Sequence, residues 1–133
     1  MRFHHIGLSV ADLDRSRTWY AEVLGFTEGF AFEIPPIGLR GLFMLGDGVR
    51  VELLERDGSA PVRGEPDPGA DLLVRGYGHF AMETAALDAD FARLVAGGAT
   101  AVWDPRPSPE PGICMAFIAD IDGNLIELVE TKQ

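Results

Sequence analysis

Phe3-His4-His5-Ile6-Gly7-Leu8 near the start of the chain and Gly78-His79-Phe80-Ala81-Met82 beyond its middle open two stretches that repeat one plan. Each histidine is answered by a glutamate where its stretch closes. Glu52 stands in Asp47-Gly48-Val49-Arg50-Val51-Glu52-Leu53-Leu54-Glu55, and Glu127 in Asp122-Gly123-Asn124-Leu125-Ile126-Glu127-Leu128-Val129-Glu130. The histidines lie 74 residues apart, the glutamates 75 and the Asp-Gly turns 75. Two similar halves related by a pseudo-twofold would bring together two imidazoles and two carboxylates. Such a set suits a divalent metal with room left for a substrate.

Each half reads as βαβββ. Residues 3–10 are apolar and short enough for a strand, and Asp12 or Asp14 then caps a helix whose Leu13, Trp19, Tyr20, Val23 and Leu24 recur at helical spacing. Gly25 stops it. Residues 26–34 form a second strand interrupted at Pro35-Pro36, and residues 41–45 and 49–55 form two more around the Asp47-Gly48 turn. The glycines and prolines of residues 56–76 mark a linker. In the second half the order returns: strand 77–83, helix 87–95 ended by Gly97-Gly98, strand 99–103, a proline-rich loop at residues 105–111, and strands 113–119 and 124–129. The expected class is α+β, two βαβββ modules forming a cupped mixed sheet with helices outside. The expected organisation is a single domain over residues 1–133, with module one at 1–56, linker 57–76 and module two at 77–133.

Strand alternation sets which side chains share a face. Glu52 points with Leu54, while Val51, Leu53 and Glu55 point the other way; Glu127 sides with Val129. His5 shares a face with Gly7 and Ser9, and His79 with Ala81 and Glu83. Small neighbours leave that face open beside each histidine, and Ile6, Leu8, Phe80 and Met82 are left to pack on the helices.

Composition narrows the function. A net charge of −10 disfavours nucleic acid and anionic lipid, both of which need a cationic face. No apolar run reaches the roughly 18–20 residues of a membrane span, and Met1-Arg2-Phe3-His4-His5 lacks the apolar stretch of a signal peptide, so a soluble cytoplasmic protein is expected. Cys114, the only cysteine, reads as a small core residue on a strand. Trp19 and Tyr20 read as core. Phe30, Phe32, Phe43 and Trp103 fit either an apolar pocket wall or the core. Glu55 and Glu130 read as solvated, and His4, adjacent to His5 and so facing away from it, as an ordinary surface or packing residue.

Two βαβββ modules with a His in the first strand and a Glu in the last strand of each resemble the vicinal oxygen chelate superfamily, which includes glyoxalase I, methylmalonyl-CoA epimerase, extradiol dioxygenases, and the fosfomycin and bleomycin resistance proteins. The local matches are His5-Ile6-Gly7-Leu8-Ser9-Val10 through Trp19-Tyr20 to Leu24-Gly25-Phe26, and Asp122-Gly123-Asn124-Leu125-Ile126-Glu127-Leu128. The resemblance implies metal ligands at His5, Glu52, His79 and Glu127, a divalent ion (Ni, Co, Zn, Mn or Fe), and Glu52 and Glu127 as catalytic acid and base. It implies a metal-dependent isomerase, epimerase or lyase that moves a proton next to a metal-bound carbonyl of a small molecule. It also implies a homodimer, with the site formed within one chain or across the interface. In glyoxalase I an Arg that grips a glutathione carboxylate stands where this chain has Ser9, so glutathione adducts are expected to be poor substrates. An Fe(II) ring-cleaving dioxygenase and an antibiotic-binding resistance protein are the alternatives. A fourth ligand at Glu52 weighs against the first, and an intact ligand set against the second.

Overall fold

A computed structural model describes residues 1–61 and 63–132 of the chain. It divides into two compact units, Met1–Pro61 and Val62–Gln133.

The first unit runs β1 (Ile6–Val10), α1 (Leu13–Glu22), β2 (Thr27–Ile34), a 3₁₀ turn at Pro35–Ile37, β3 (Leu39–Leu45) and β4 (Arg50–Arg56). Its sheet has the order β1-β4-β3-β2, with β1 parallel to β4 and the other pairings antiparallel. Helix α1 starts where Asp12 accepts from the Arg15 amide and lays Leu13, Trp19 and Tyr20 on β3 and β4. Burying such side chains stabilises by about 1.5–3 kcal/mol each. The helix ends as its spacing predicts: Gly25 takes a φ of 71°, which lets the Phe26 amide donate back to the Tyr20 carbonyl at 3.1 Å.

The second unit repeats the order. A short helix α2 (Pro68–Asp71) precedes β5 (His79–Glu83), α3 (Leu87–Ala96), β6 (Thr100–Pro107), β7 (Ile113–Ala119) and β8 (Leu125–Thr131), in the sheet order β5-β8-β7-β6. Each unit is thus a four-stranded mixed sheet with a helix on one face. In both, the face opposite the helix is the open one, as strand alternation predicts: Gly7 and Ser9 are exposed on β1, and His79, Ala81 and Glu83 on β5.

The repeat explains its own offset. Strands β3 and β7 end 74 residues apart at Leu45 and Ala119, and β4 and β8 begin 75 apart at Arg50 and Leu125. The extra residue therefore lies in the hairpin loop. There Asp120, buried at 3% exposure, accepts from the amides of Asp122 and Asn124 and from Asn124 Nδ2, each at 2.9 Å.

Five expectations need correction. Strand β5 begins at His79 rather than at residue 77. Strand β1 begins at Ile6 rather than Phe3, so His5 precedes it. Strand β3 begins at Leu39, two residues before Gly41. The linker holds α2, whose first turn is capped by Asp67 accepting from the Ala70 amide. Strand β6 also runs on through Pro105 to Pro107 where a loop was expected. Among the described residues it is an edge strand that pairs only with β7, and its register shifts between Ala101 and Trp103 and between Trp103 and Arg106, so missing amide hydrogens are tolerated.

Candidate functional site

The parallel β1–β4 pairing sets Gly7 beside Glu52, and the antiparallel β3–β4 pairing sets Phe43 on the other side of it. In the second unit Ala81 and Phe117 flank Glu127 in the same register. His5 and His79 then reach over the small residue to the carboxylate. His5 Nε2 lies 3.2 Å from Glu52 Oε2, and His79 Nε2 lies 3.1 Å from Glu127 Oε2. Each imidazole stands edge-on against its phenylalanine, at 5.2 Å and 89° for Phe43 and at 5.1 Å and 90° for Phe117. Both phenylalanines are buried and so fix the ring above them.

The separation within each pair is one that two neighbouring ligands of a metal ion can have. Two donors bound to one ion at roughly 2.0–2.2 Å stand about 3.0–3.5 Å apart when they subtend a right or tetrahedral angle, and both N···O separations fall in that range. The side chains are also comparably open: 33% and 18% exposed for His5 and Glu52, 37% and 17% for His79 and Glu127. The donors stop at two in each unit, since no group of three or more His, Cys, Asp or Glu side chains able to hold a metal occurs among the described residues.

Around the first pair, Phe32 stacks on Phe30 at 6.1 Å and 15° and lies 6.3 Å from Phe43, while Arg50 Cζ sits 4.1 Å above the Phe43 ring. A side chain at Gly41 would overlap the Phe32 ring, so the glycine lets that ring lie across the strand. Around the second pair, Trp103 meets Phe117 edge-on at 5.5 Å and carries Arg106 over its own ring at 4.9 Å. Phe32 and Phe43 thus flank the donors of the first unit and Trp103 lies against Phe117 beside those of the second, whereas Trp19 and Tyr20 are core. Cys114 is half-buried on β7.

Glu55 and Glu130, expected to be solvated, instead tie each last strand to its helix. Glu55 accepts from the Leu13 amide at 2.6 Å and from Arg40 at 2.9 Å, and Glu130 accepts from the Leu87 amide at 3.1 Å and pairs with Lys132 at 2.7 Å. The opening amides of a helix lack partners and attract negative charge, which explains the choice of a carboxylate. The Arg40 guanidinium and then the Leu13 amide hold the Glu55 carboxyl below its usual range; Lys132 and then the Leu87 amide do the same for Glu130. His4 is exposed at the surface as expected, but it does not face away from His5: its Nδ1 lies 2.6 Å from His5 Nδ1.

Phe117 was not singled out from sequence, although Phe43 and Phe117 repeat at the histidines' own offset of 74. Ser9 is exposed on β1, in register with Leu54.

The sequence profile of the Glyoxalase/Bleomycin resistance protein/Dioxygenase superfamily matches residues 2–128. A lactoylglutathione lyase of Arabidopsis thaliana is 31% identical over 97% of this chain and 44% of its own length, so the chain spans less than half of that relative. A probable lactoylglutathione lyase of Vibrio cholerae is 28% identical over 99% of the chain and 92% of its own. Among solved structures, glyoxalase I of Zea mays shares the fold with a TM-score of 0.72 at 24% identity, over 96% of this chain and 43% of its own.

Proposed function

The chain belongs to the Glyoxalase/Bleomycin resistance protein/Dioxygenase superfamily, and on that premise we propose that it is a glyoxalase I-type enzyme, one that moves a proton next to the carbonyl group of a small molecule. The observation that supports this most is the duplicated pair: a histidine and a glutamate at 3.2 Å in one unit and 3.1 Å in the other, each against a buried phenylalanine. His5 and Glu52 in the first unit, and His79 and Glu127 in the second, are the residues that would hold a divalent ion. When bound, that ion supplies Lewis acidity toward a carbonyl oxygen.

The remaining work belongs to the side chains. Glu52 and Glu127 hold and move the proton, one taking it from the carbon beside the carbonyl and the other returning it. His5 and His79 act as neutral donors, steadied by Phe43 and Phe117. Phe32 and Phe43 beside the first pair, and Trp103 beside the second, present apolar rings that exclude water from the donors. Ser9 offers no charge to a substrate carboxylate, so the substrate is a 2-oxoaldehyde adduct or a related carbonyl compound other than a glutathione conjugate.

The test is solvent deuterium incorporation at the substrate carbon of the metal-loaded protein, screened over 2-oxoaldehyde adducts and acyl-CoA thioesters. Glu52→Gln and Glu127→Gln should each slow exchange by roughly 10²- to 10⁴-fold. Turnover without exchange would overturn the reading, and so would full exchange in both variants. Fast turnover of a glutathione hemithioacetal would overturn the substrate assignment alone.

A further inference from the structure

We propose that Arg50 and His4 form a directed hydrogen-bond relay that decides which ring nitrogen of His5 carries hydrogen, and that this relay latches the first His–Glu pair against metal while the second has no latch. The relay stands on its own geometry; its link to metal rests on the function proposed above.

An arginine side chain only donates. Its Nη1 lies 2.9 Å from His4 Nε2, so that nitrogen accepts, and a hydrogen on it would set N–H against N–H. The hydrogen of His4 therefore sits on Nδ1, 2.6 Å from His5 Nδ1, which must accept in turn. This leaves the hydrogen of His5 on Nε2, facing Glu52 Oε2 at 3.2 Å. Every link runs the same way, from a group that can only donate to a carboxylate that accepts. Arg50 is held in place over Phe43, and its buried Nε has no partner among the described residues.

Metal ligation by His5 Nε2 needs the lone pair that this arrangement occupies. The hydrogen must then lie on His5 Nδ1, so His4 Nδ1 must accept and His4 Nε2 must carry hydrogen. That hydrogen confronts Arg50, which has to let go. The second unit asks for none of this: Gly78 stands at the place of His4 and Leu125 at the place of Arg50.

The experiment uses the full chain, metal-free and labelled with ¹⁵N at histidine. Long-range ¹⁵N–¹H correlation should show His5 bearing hydrogen on Nε2 in the wild type and in Arg50→Lys, which keeps a donor. In Arg50→Leu, which copies the second unit, the signal should move toward Nδ1–H while that of His79 stays put. Calorimetric titration with Zn²⁺ alone should show affinity rising on the order of tenfold in Arg50→Leu, the loss of one charge-assisted bond that opposes ligation. His4→Gly should bring a similar gain without touching Arg50. A His5 that carries hydrogen on Nδ1 in the wild type overturns the relay. A tautomer shift with unchanged Zn²⁺ affinity in both variants overturns the latch. Failure of Zn²⁺ to bind any of the proteins sinks the metal reading above, and the tautomer signals still decide the relay.

Discussion

In the first unit His5 is backed by a second histidine and an arginine; in the second, His79 has a glycine behind it and a leucine where the arginine stands. The first hairpin loop turns on Gly46, whereas the second turns on a buried aspartate with three bonds to its own loop. What the two units share is narrower and more telling: carboxylate and supporting phenyl ring occupy the same registers in both, and each imidazole stands two residues before the small residue that pairs with the carboxylate. The backbone dictates that likeness, because a parallel β1–β4 pair beside an antiparallel β3–β4 pair places three side chains of one face in contact. The surroundings are free to differ. They do so where they touch the histidine's far nitrogen or the loop, not where they touch the open face.

The comparison can be broken most forcefully at the phenylalanines. Phe43→Ala and Phe117→Ala should each destabilise by about 3–5 kcal/mol in denaturant unfolding, the usual result of emptying a buried aromatic site. A large cost in one unit and almost none in the other would show that the rings are not equivalent supports. Asp120→Ala should cost about 1–3 kcal/mol, because it removes the buried acceptor that holds the Asp122 and Asn124 amides and the Asn124 side chain. Its counterpart position is Gly46, so this effect belongs to the second unit only. Asp120→Asn keeps an acceptor and should recover much of the stability in thermal melts.

Acid provides the gentlest probe. Glu55 and Glu130 both titrate below their ordinary value of 4.5 when folded. The folded state therefore binds fewer protons than the unfolded one, and the contribution of each carboxylate is present above that value and lost as pH falls through the lower folded value. Glu55→Gln and Glu130→Gln should flatten the fall in stability in that acid window by similar amounts, read as melting temperature against pH. An undiminished slope in either variant would remove that glutamate from the shared plan.

The sequence disclosed the duplicated architecture and the two His–Glu sets because repeats, turns and alternation are local signals. It misplaced β6 because proline argues against a strand unless the strand is known to lie at an edge, and edge position depends on long-range pairing. It misjudged Glu55 and Glu130 for a related reason: alternation puts them opposite Glu52 and Glu127, on the helix side, but only the three-dimensional path brings a helix's first amide there. The contact between His4 and His5 escaped because strand alternation was applied to residues that precede the strand. His4 and His5 precede β1, so neighbouring side chains need not face apart, and their rings meet.

The bonds from Glu55 to Leu13 and from Glu130 to Leu87 span 42 and 43 residues of chain. Neither can form until the last strand of its unit has come home beside the first, so the start of each helix is secured late in folding. Their strength is then felt chiefly on the way out: the glutamates act as brakes on unfolding and contribute little to the speed with which the chain first finds its sheet.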